Sequence, residues 1–204
     1  MNTLWDFIQK GGFFMYPIIL CSVVSLAIFM ERVWVFRKNG VIPEGFLDSI
    51  FELVRENKIS EASAFCYKES SSMARIVLTA LRNIMAGKEV LKESMEETGK
   101  KEVKNLEKRL EAMNTIASVS TLLGLLGTIS GMIKIFAVIS LETVVNPGSL
   151  AGGISEALYT TAAGLTVAIP TVVAYKYLLG RARAYASFME EGAFALLQRI
   201  DDRK

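Results

Sequence analysis

Polar side chains recur inside two long apolar stretches of this sequence, which run from about Ile116 to Ile139 and from about Gly153 to Leu178. From the hydroxyl and carboxylate side chains of these stretches we select four as candidates to line a proton path: Thr128, Glu156, Thr160 and Thr161. Burying such groups at membrane depth costs several kcal/mol unless they line protein or a path for ions. The sequence therefore predicts a polar path that these two stretches enclose.

Glycines accompany the threonines. Gly124, Gly127, Thr128 and Gly131 recur at i, i+3, i+4 and i+7, which places them on one face of a helix. Small residues on one face allow close backbone approach, the usual basis of helix association in lipid. We therefore assign helix packing to the glycines and to Pro170, which can kink its helix. The packing residues are Gly124, Gly127, Gly131, Gly164 and Pro170.

Two charges lie near the outer ends of these stretches. Glu156 is about one turn inside, where an acid either reaches outward to water or joins a polar path; the deeper hydroxyls favour the path. Lys134 has a long stem and is expected to reach the interface. No acid or histidine lies deeper than Glu156 in either stretch. A complete proton relay therefore needs a titratable group from another chain.

Composition bounds the class of protein. With 51% hydrophobic residues and a mean hydropathy of +0.36, the chain is too apolar for an ordinary soluble domain. The net charge of +2 and the interleaved acids give no nucleic-acid surface. Histidine is absent, which removes the usual general base and the commonest metal ligand. We expect no enzyme activity, no cofactor and no metal site, and we interpret Cys21 and Cys66 as packing residues.

Three apolar segments are long enough to span a bilayer: residues 13–36, 116–140 and 153–178. The first is expected to remain as an uncleaved anchor. Of the 44 charged residues, 27 lie between Arg37 and Glu111. The distribution of Lys and Arg then places residues 37–115 and 179–204 in the cytoplasm, and residues 1–12 and the connector 141–152 outside.

The cytoplasmic residues are predicted to be helical. Apolar residues recur at three- and four-residue spacing from Leu91 to Met113, and the pattern enters the second span without a proline. One continuous helix is expected from about Lys88 to Ile139, and the third span is expected to continue through Ile200. Shorter amphipathic helices are expected near 46–54, 60–68 and 73–86, with solvated charged faces. The fold class is an all-α membrane protein with two spans extended into a cytoplasmic helical domain.

Two of these segments resemble the signature of the MotA/TolQ/ExbB proton-channel family, most of all its ExbB branch and next its TolQ branch. The matching segments read LGLLGTISGM at 123–132 and ISEALYTTAAGLTVAIP at 154–170, and Glu31-Arg32 followed by an aromatic residue also fits. The resemblance covers all three spans in their order. One departure is Tyr175-Lys176, where the family often has Tyr-Asn.

The resemblance implies a homopentamer in a bacterial inner membrane, with a periplasmic N-terminus and a cytoplasmic C-terminus. The second and third spans would surround a pore that holds a dimer of an ExbD- or TolR-type single-span partner, which carries the proton-binding aspartate. It also implies a TonB- or TolA-type protein. Thr128 and Thr161 match the family's pore-facing threonines, and Glu156 matches its acid near the outer mouth.

Other interpretations remain open. A TolQ-like subunit would serve envelope maintenance, whereas an ExbB-like subunit would serve energy-dependent transport across the outer membrane. A purely structural membrane scaffold would use the same glycine faces for packing alone. A membrane enzyme is disfavoured because the sequence offers no nucleophile–base pair. The process that is driven is expected to depend on the periplasmic part of the partner.

Overall fold

The structure is a computed structural model that describes residues 11–37, 41, 43, 45–69, 71–141 and 147–201. The regular elements in these ranges are six α-helices: α1 Met15–Arg37, α2 Phe46–Arg55, α3 Ile59–Lys68, α4 Ser72–Arg82, α5 Lys88–Leu141 and α6 Pro147–Asp201. Most of the predicted N-terminal segment, and residues 142–146 of the predicted connector, lie outside the described residues.

Three helices, α1, α5 and α6, are long and apolar enough to cross a membrane. The chain is therefore an all-α membrane protein over its described residues, while the limits and sides of its spans remain predictions. Helix α5 begins at Lys88, as the apolar periodicity predicts. Helix α6 begins at Pro147, ahead of the predicted start of the span at Gly153. Proline suits the first position of a helix because an N–H at that position would have no acceptor within the helix.

The chain divides into two compact units, which we call the membrane unit (Met1–Met30 and Leu110–Lys176) and the polar unit (Glu31–Arg109 and Tyr177–Lys204). In the membrane unit, Met15 and Ile18 of α1 form a buried cluster with Ala163 of α6. The hydroxyls of Ser25 and Thr171 lie 2.8 Å apart and are buried. This hydrogen bond satisfies two polar groups that lipid could not.

In the polar unit, the short helices bury one face each. Helix α2 buries Phe46, Ile50 and Val54 at four-residue spacing. The Ser71 hydroxyl caps α4 by accepting a hydrogen bond from the Ala74 N–H at 3.1 Å. Helix α4 ends at Arg82, four residues short of the predicted Ala86, and its last turn is tightened by the Asn83 N–H, which bonds to the carbonyls of Thr79 and Ala80.

The long helices confirm the predicted apolar periodicity in the polar unit. Their buried residues include Leu91, Met95 and Leu106 of α5, and Leu178, Ala182, Met189, Leu196 and Ile200 of α6. Cys66 is also buried as a free thiol, and burial raises its pKa to about 11. The thiol therefore stays protonated at neutral pH, as a packing residue should.

Glu102 of α5 is a buried charge that the sequence analysis did not predict. It is only 5% exposed, and its carboxylate accepts hydrogen bonds from Nε of Arg75 at 2.7 Å and from the same guanidinium at 2.5 Å. These bonds raise the pKa of Arg75. An acid can be buried here because a bidentate arginine compensates its charge, which helix periodicity alone does not reveal.

Candidate functional site

Helices α5 and α6 are in close contact at the predicted glycines. A Cβ atom built on Gly164 would lie 2.6 Å from the Ser120 carbonyl oxygen and 3.0 Å from Cα of Gly124. A Cβ on Gly131 would lie 2.8 Å from Cβ of Ala157. Because these neighbours are backbone or short side chains, the two helices can pack this tightly only with glycine at these positions.

Thr160 faces the same tight interface. It is 1% exposed, and its hydroxyl lies 2.6 Å from the Gly11 carbonyl oxygen and 2.8 Å from the Glu156 carbonyl oxygen. A Cβ on Gly127 would overlap its side chain. In the protomer the Thr160 side chain thus packs against α5 at Gly127, and its place on a proton path stays a prediction. The turn before α1 supplies the Gly11 carbonyl, which accepts the hydrogen bond of the Thr160 hydroxyl.

Thr128 and Thr161 are half-buried and remain accessible. The Thr161 hydroxyl donates to the Gly124 carbonyl across the α5–α6 contact at 3.0 Å, and the Thr128 hydroxyl donates to Leu125 within its own helix at 2.6 Å. Each hydroxyl therefore donates its hydrogen bond to a backbone carbonyl, and the lone pairs of its oxygen can still accept a hydrogen bond. These two side chains can accept a hydrogen bond from water or from another chain.

Glu156 and Lys134 form an ion pair between α6 and α5. Lys134 Nζ lies 2.5 Å from a carboxylate oxygen of Glu156, and the side chains are 56% and 25% exposed. The sequence analysis expected Lys134 to reach the interface; the structure adds its contact with Glu156, the one acid of the two predicted spans. Two lone opposite charges near the outer ends of adjacent spans are a signal that could have predicted this pair.

A glycine turn covers the acid. Gly12 has φ +66°, a conformation that disfavours other residues, and a Cβ there would collide with the Glu156 carboxylate. The same turn supplies the Gly11 carbonyl that binds Thr160. The sequence analysis missed this turn, because two glycines ahead of an apolar segment do not indicate what they pack against.

The described residues thus define an α-helical integral membrane protein with a glycine-packed helix pair, and this pair carries the accessible Thr128 and Thr161 and the ion-paired Glu156. Among these residues, no three His, Cys, Asp or Glu side chains are grouped to hold a metal ion. A profile of the MotA/TolQ/ExbB proton channel family matches residues 68–191, which is more than half of the chain. The chain belongs to this family, and the predicted resemblance is confirmed.

Individual proteins named ExbB-like or TolQ are similar to most of the chain. The chain is 32% identical over 167 residues to the putative biopolymer transport protein ExbB-like 3 of Synechocystis sp., covering 81% of this chain and 80% of that protein. It is 29% identical to ExbB-like 1 of the same organism, covering 86% of this chain and 70% of that protein. It is also 31% identical to the Tol-Pal system protein TolQ of Haemophilus influenzae, covering 80% and 71%.

Proposed function

We propose that this chain is the pore-forming subunit of a proton-driven motor in the inner membrane. It would couple the proton-motive force, together with an ExbD-type partner, to energy-dependent transport across the outer membrane. The observation that carries this proposal is the pair of accessible hydroxyls, Thr128 and Thr161, beside a helix contact that glycine makes tight. A TolQ-like role in envelope maintenance is the second candidate, because the TolQ relative is about as similar as the ExbB-like ones.

The proposed homopentamer is supported by apolar surface in both units. Many large apolar residues of α5 and α6 are exposed in the protomer, among them Leu122, Ile133, Phe136, Leu158 and Ile169. The polar unit also has a groove of about 760 Å³, whose lining includes Met95, Val103, Met189, Phe194 and Leu197. Lipid also covers apolar surface in the spans, so the groove of the polar unit carries the argument, and we assign it to neighbouring copies. The number five comes from the family resemblance.

The driving force follows from moving charge through a potential. One elementary charge gains about 2.3 kcal/mol per 100 mV, so each proton supplies a few kcal/mol. A five-fold ring around a two-fold partner cannot match every contact at once. Successive protonation of the partner's two aspartates would then step the partner around the ring. Glu156 would serve at the outer mouth, and Thr128 and Thr161 would face the partner's aspartates.

The proposal predicts that the chain alone conducts few protons. Glu156 is the one acid in the two predicted spans 116–140 and 153–178, and Leu126, Ile129 and Leu165 expose apolar surface that would dewet a narrow lumen. Liposomes that contain the chain alone, or the chain with an ExbD-type partner, are given an imposed potential and an internal pH dye. Proton flux should appear only with the partner.

A partner whose intramembrane aspartate is changed to asparagine is the matched control, and it should assemble without restoring flux. Rapid acidification by the chain alone would show that the proton carrier has been assigned to the wrong subunit. No flux even with the intact partner, in complexes of correct composition, would favour the structural scaffold.

Lys134 offers a second test of this site. Lys134→Gln leaves Glu156 without its cation, and we expect flux through the complex to fall about fivefold, roughly the 1 kcal/mol of a partly exposed ion pair. Lys134→Arg should retain flux because it preserves the pair. Lys176→Gln removes an exposed cation from the other end of span three and serves as the control. Equal flux in all three variants would leave the ion pair without a role.

A further inference from the structure

Helix α1 has two unlike faces. Leu26, Met30 and Trp34, spaced four residues apart, are each about 60% exposed and form the face that lipid would contact. Among the buried residues of the helix, Ile18, Ser25 and Arg32 recur at seven-residue spacing on one face, and Phe36 lies beyond them. The Ser25 hydroxyl is hydrogen-bonded to Thr171. Arg32 is the one charged residue of these three.

Arg32 has no hydrogen bond or ion pair with any residue that the structure describes, although it is only 7% exposed. Its Nε is sealed from solvent without an acceptor. The adjacent acid, Glu31, is engaged by Arg109. Buried charged donors are normally paired, because desolvation without compensation is costly. The described part of the protomer therefore leaves this guanidinium in need of an acceptor from elsewhere.

The geometry limits what that acceptor can be. Nε is the one nitrogen of Arg32 that has neither solvent contact nor a hydrogen-bond partner. The two terminal nitrogens also make no hydrogen bond, but they retain contact with the surface. Arg32 lies near the Arg37 end of α1, two residues from the exposed Trp34. Tryptophan at a span end marks the headgroup level of the bilayer. Lipid phosphates lie at this level, and the planar guanidinium matches a phosphate with two parallel hydrogen bonds.

We propose that Arg32 binds the phosphate of an anionic phospholipid in the leaflet at the Arg37 end of α1. Basic pockets at the ends of membrane helices are known to take such headgroups. A carboxylate from a neighbouring copy is the rival acceptor. The lipid is favoured because Arg32 lies at the level of Trp34 along α1, where headgroups lie, and its terminal nitrogens retain contact with the surface. This site is independent of the proton path.

The test measures lipid retention by native mass spectrometry. The purified chain is titrated with phosphatidylglycerol or with phosphatidylcholine of the same acyl chains. We expect the wild type to retain phosphatidylglycerol about tenfold more strongly than phosphatidylcholine, because the choline ammonium neutralises the phosphate of phosphatidylcholine, whereas phosphatidylglycerol keeps a net negative charge for the arginine. Arg32→Gln should lose this preference, and Arg32→Lys should keep part of it. Arg183→Gln, which removes an exposed arginine of α6, should retain it.

A second measurement keeps the proposal testable if Arg32→Gln fails to fold. The thermal unfolding midpoint of the wild type is compared in nanodiscs of pure phosphatidylcholine, with and without added phosphatidylglycerol, and in phosphatidylcholine with inorganic phosphate. Stabilisation by phosphatidylglycerol alone supports the proposal. Equal stabilisation by inorganic phosphate would overturn the lipid as the source of the anion. No dependence on either anion would overturn the site and leave the neighbouring copy as the acceptor.

Discussion

Replacing Gly164 with alanine is expected to force α5 and α6 apart and to prevent the chain from assembling. The added methyl would lie 2.6 Å from the Ser120 carbonyl oxygen and 3.0 Å from Cα of Gly124. Both neighbours are backbone atoms, so relief requires movement of a whole helix rather than a side chain. Overpacking of this kind costs about 1–3 kcal/mol per site, and each copy of an oligomer bears that cost. The fraction of oligomer, read by native mass spectrometry, and the unfolding midpoint report it.

The chain supplies its own control for this substitution. Gly180 lies in the same helix, and a Cβ there would have no neighbour within 4 Å. Gly180→Ala should therefore assemble normally and gain up to about 1 kcal/mol, because alanine favours a helix interior over glycine. Normal assembly of Gly164→Ala would mean that the α5–α6 contact is looser than the structure shows. Loss of assembly in both variants would point to a general intolerance of this helix.

The helices were largely predictable, because their apolar period is long and uninterrupted. No proline interrupts the sequence from Lys88 to Leu141, and a single 54-residue helix results. The start of α6 was less predictable: hydropathy locates the apolar core of a span, whereas capping geometry decides where its helix begins. Glu102 was missed for a related reason. A helical pattern shows which face carries charge, but it does not show whether an arginine from another helix reaches that face.

The candidate site was predicted in its residue types but not in its contacts. Thr160 and Thr161 are adjacent, and the periodicity placed both on the polar side of the span. The turn at Gly11 and Gly12 distinguishes them, because its carbonyl binds Thr160 and its tight backbone covers Glu156. Such a turn depends on the packing of α1, which lies far away in the sequence. Contacts between distant segments are what a single sequence leaves undetermined.

Thr128→Val combined with Thr161→Val is expected to abolish proton-coupled function while the oligomer survives. Valine has nearly the shape of threonine, so packing changes little. The lost bond from Thr161 to the Gly124 carbonyl costs about 1 kcal/mol, which an oligomer can tolerate. Flux through the complex should fall about 100-fold or more, as when a positioned proton-transfer group is removed. Thr166→Val combined with Ser118→Ala removes two hydroxyls bonded only within their own helices, and it should retain flux.

Glu156→Gln is expected to weaken flux by only a few fold, because Glu156 lies near the predicted outer end of its span and is a quarter exposed. Water and Lys134 can replace part of its role there. Thr128 and Thr161 have no such replacement, because the two predicted spans hold no histidine and no acid other than Glu156. The two variants, compared at matched expression in energy-dependent uptake and in liposomes, rank the two positions. Complete loss in Glu156→Gln beside an active double-valine variant would place the critical proton step at the outer mouth. Full activity in both would leave the glycine faces as a scaffold and nothing more.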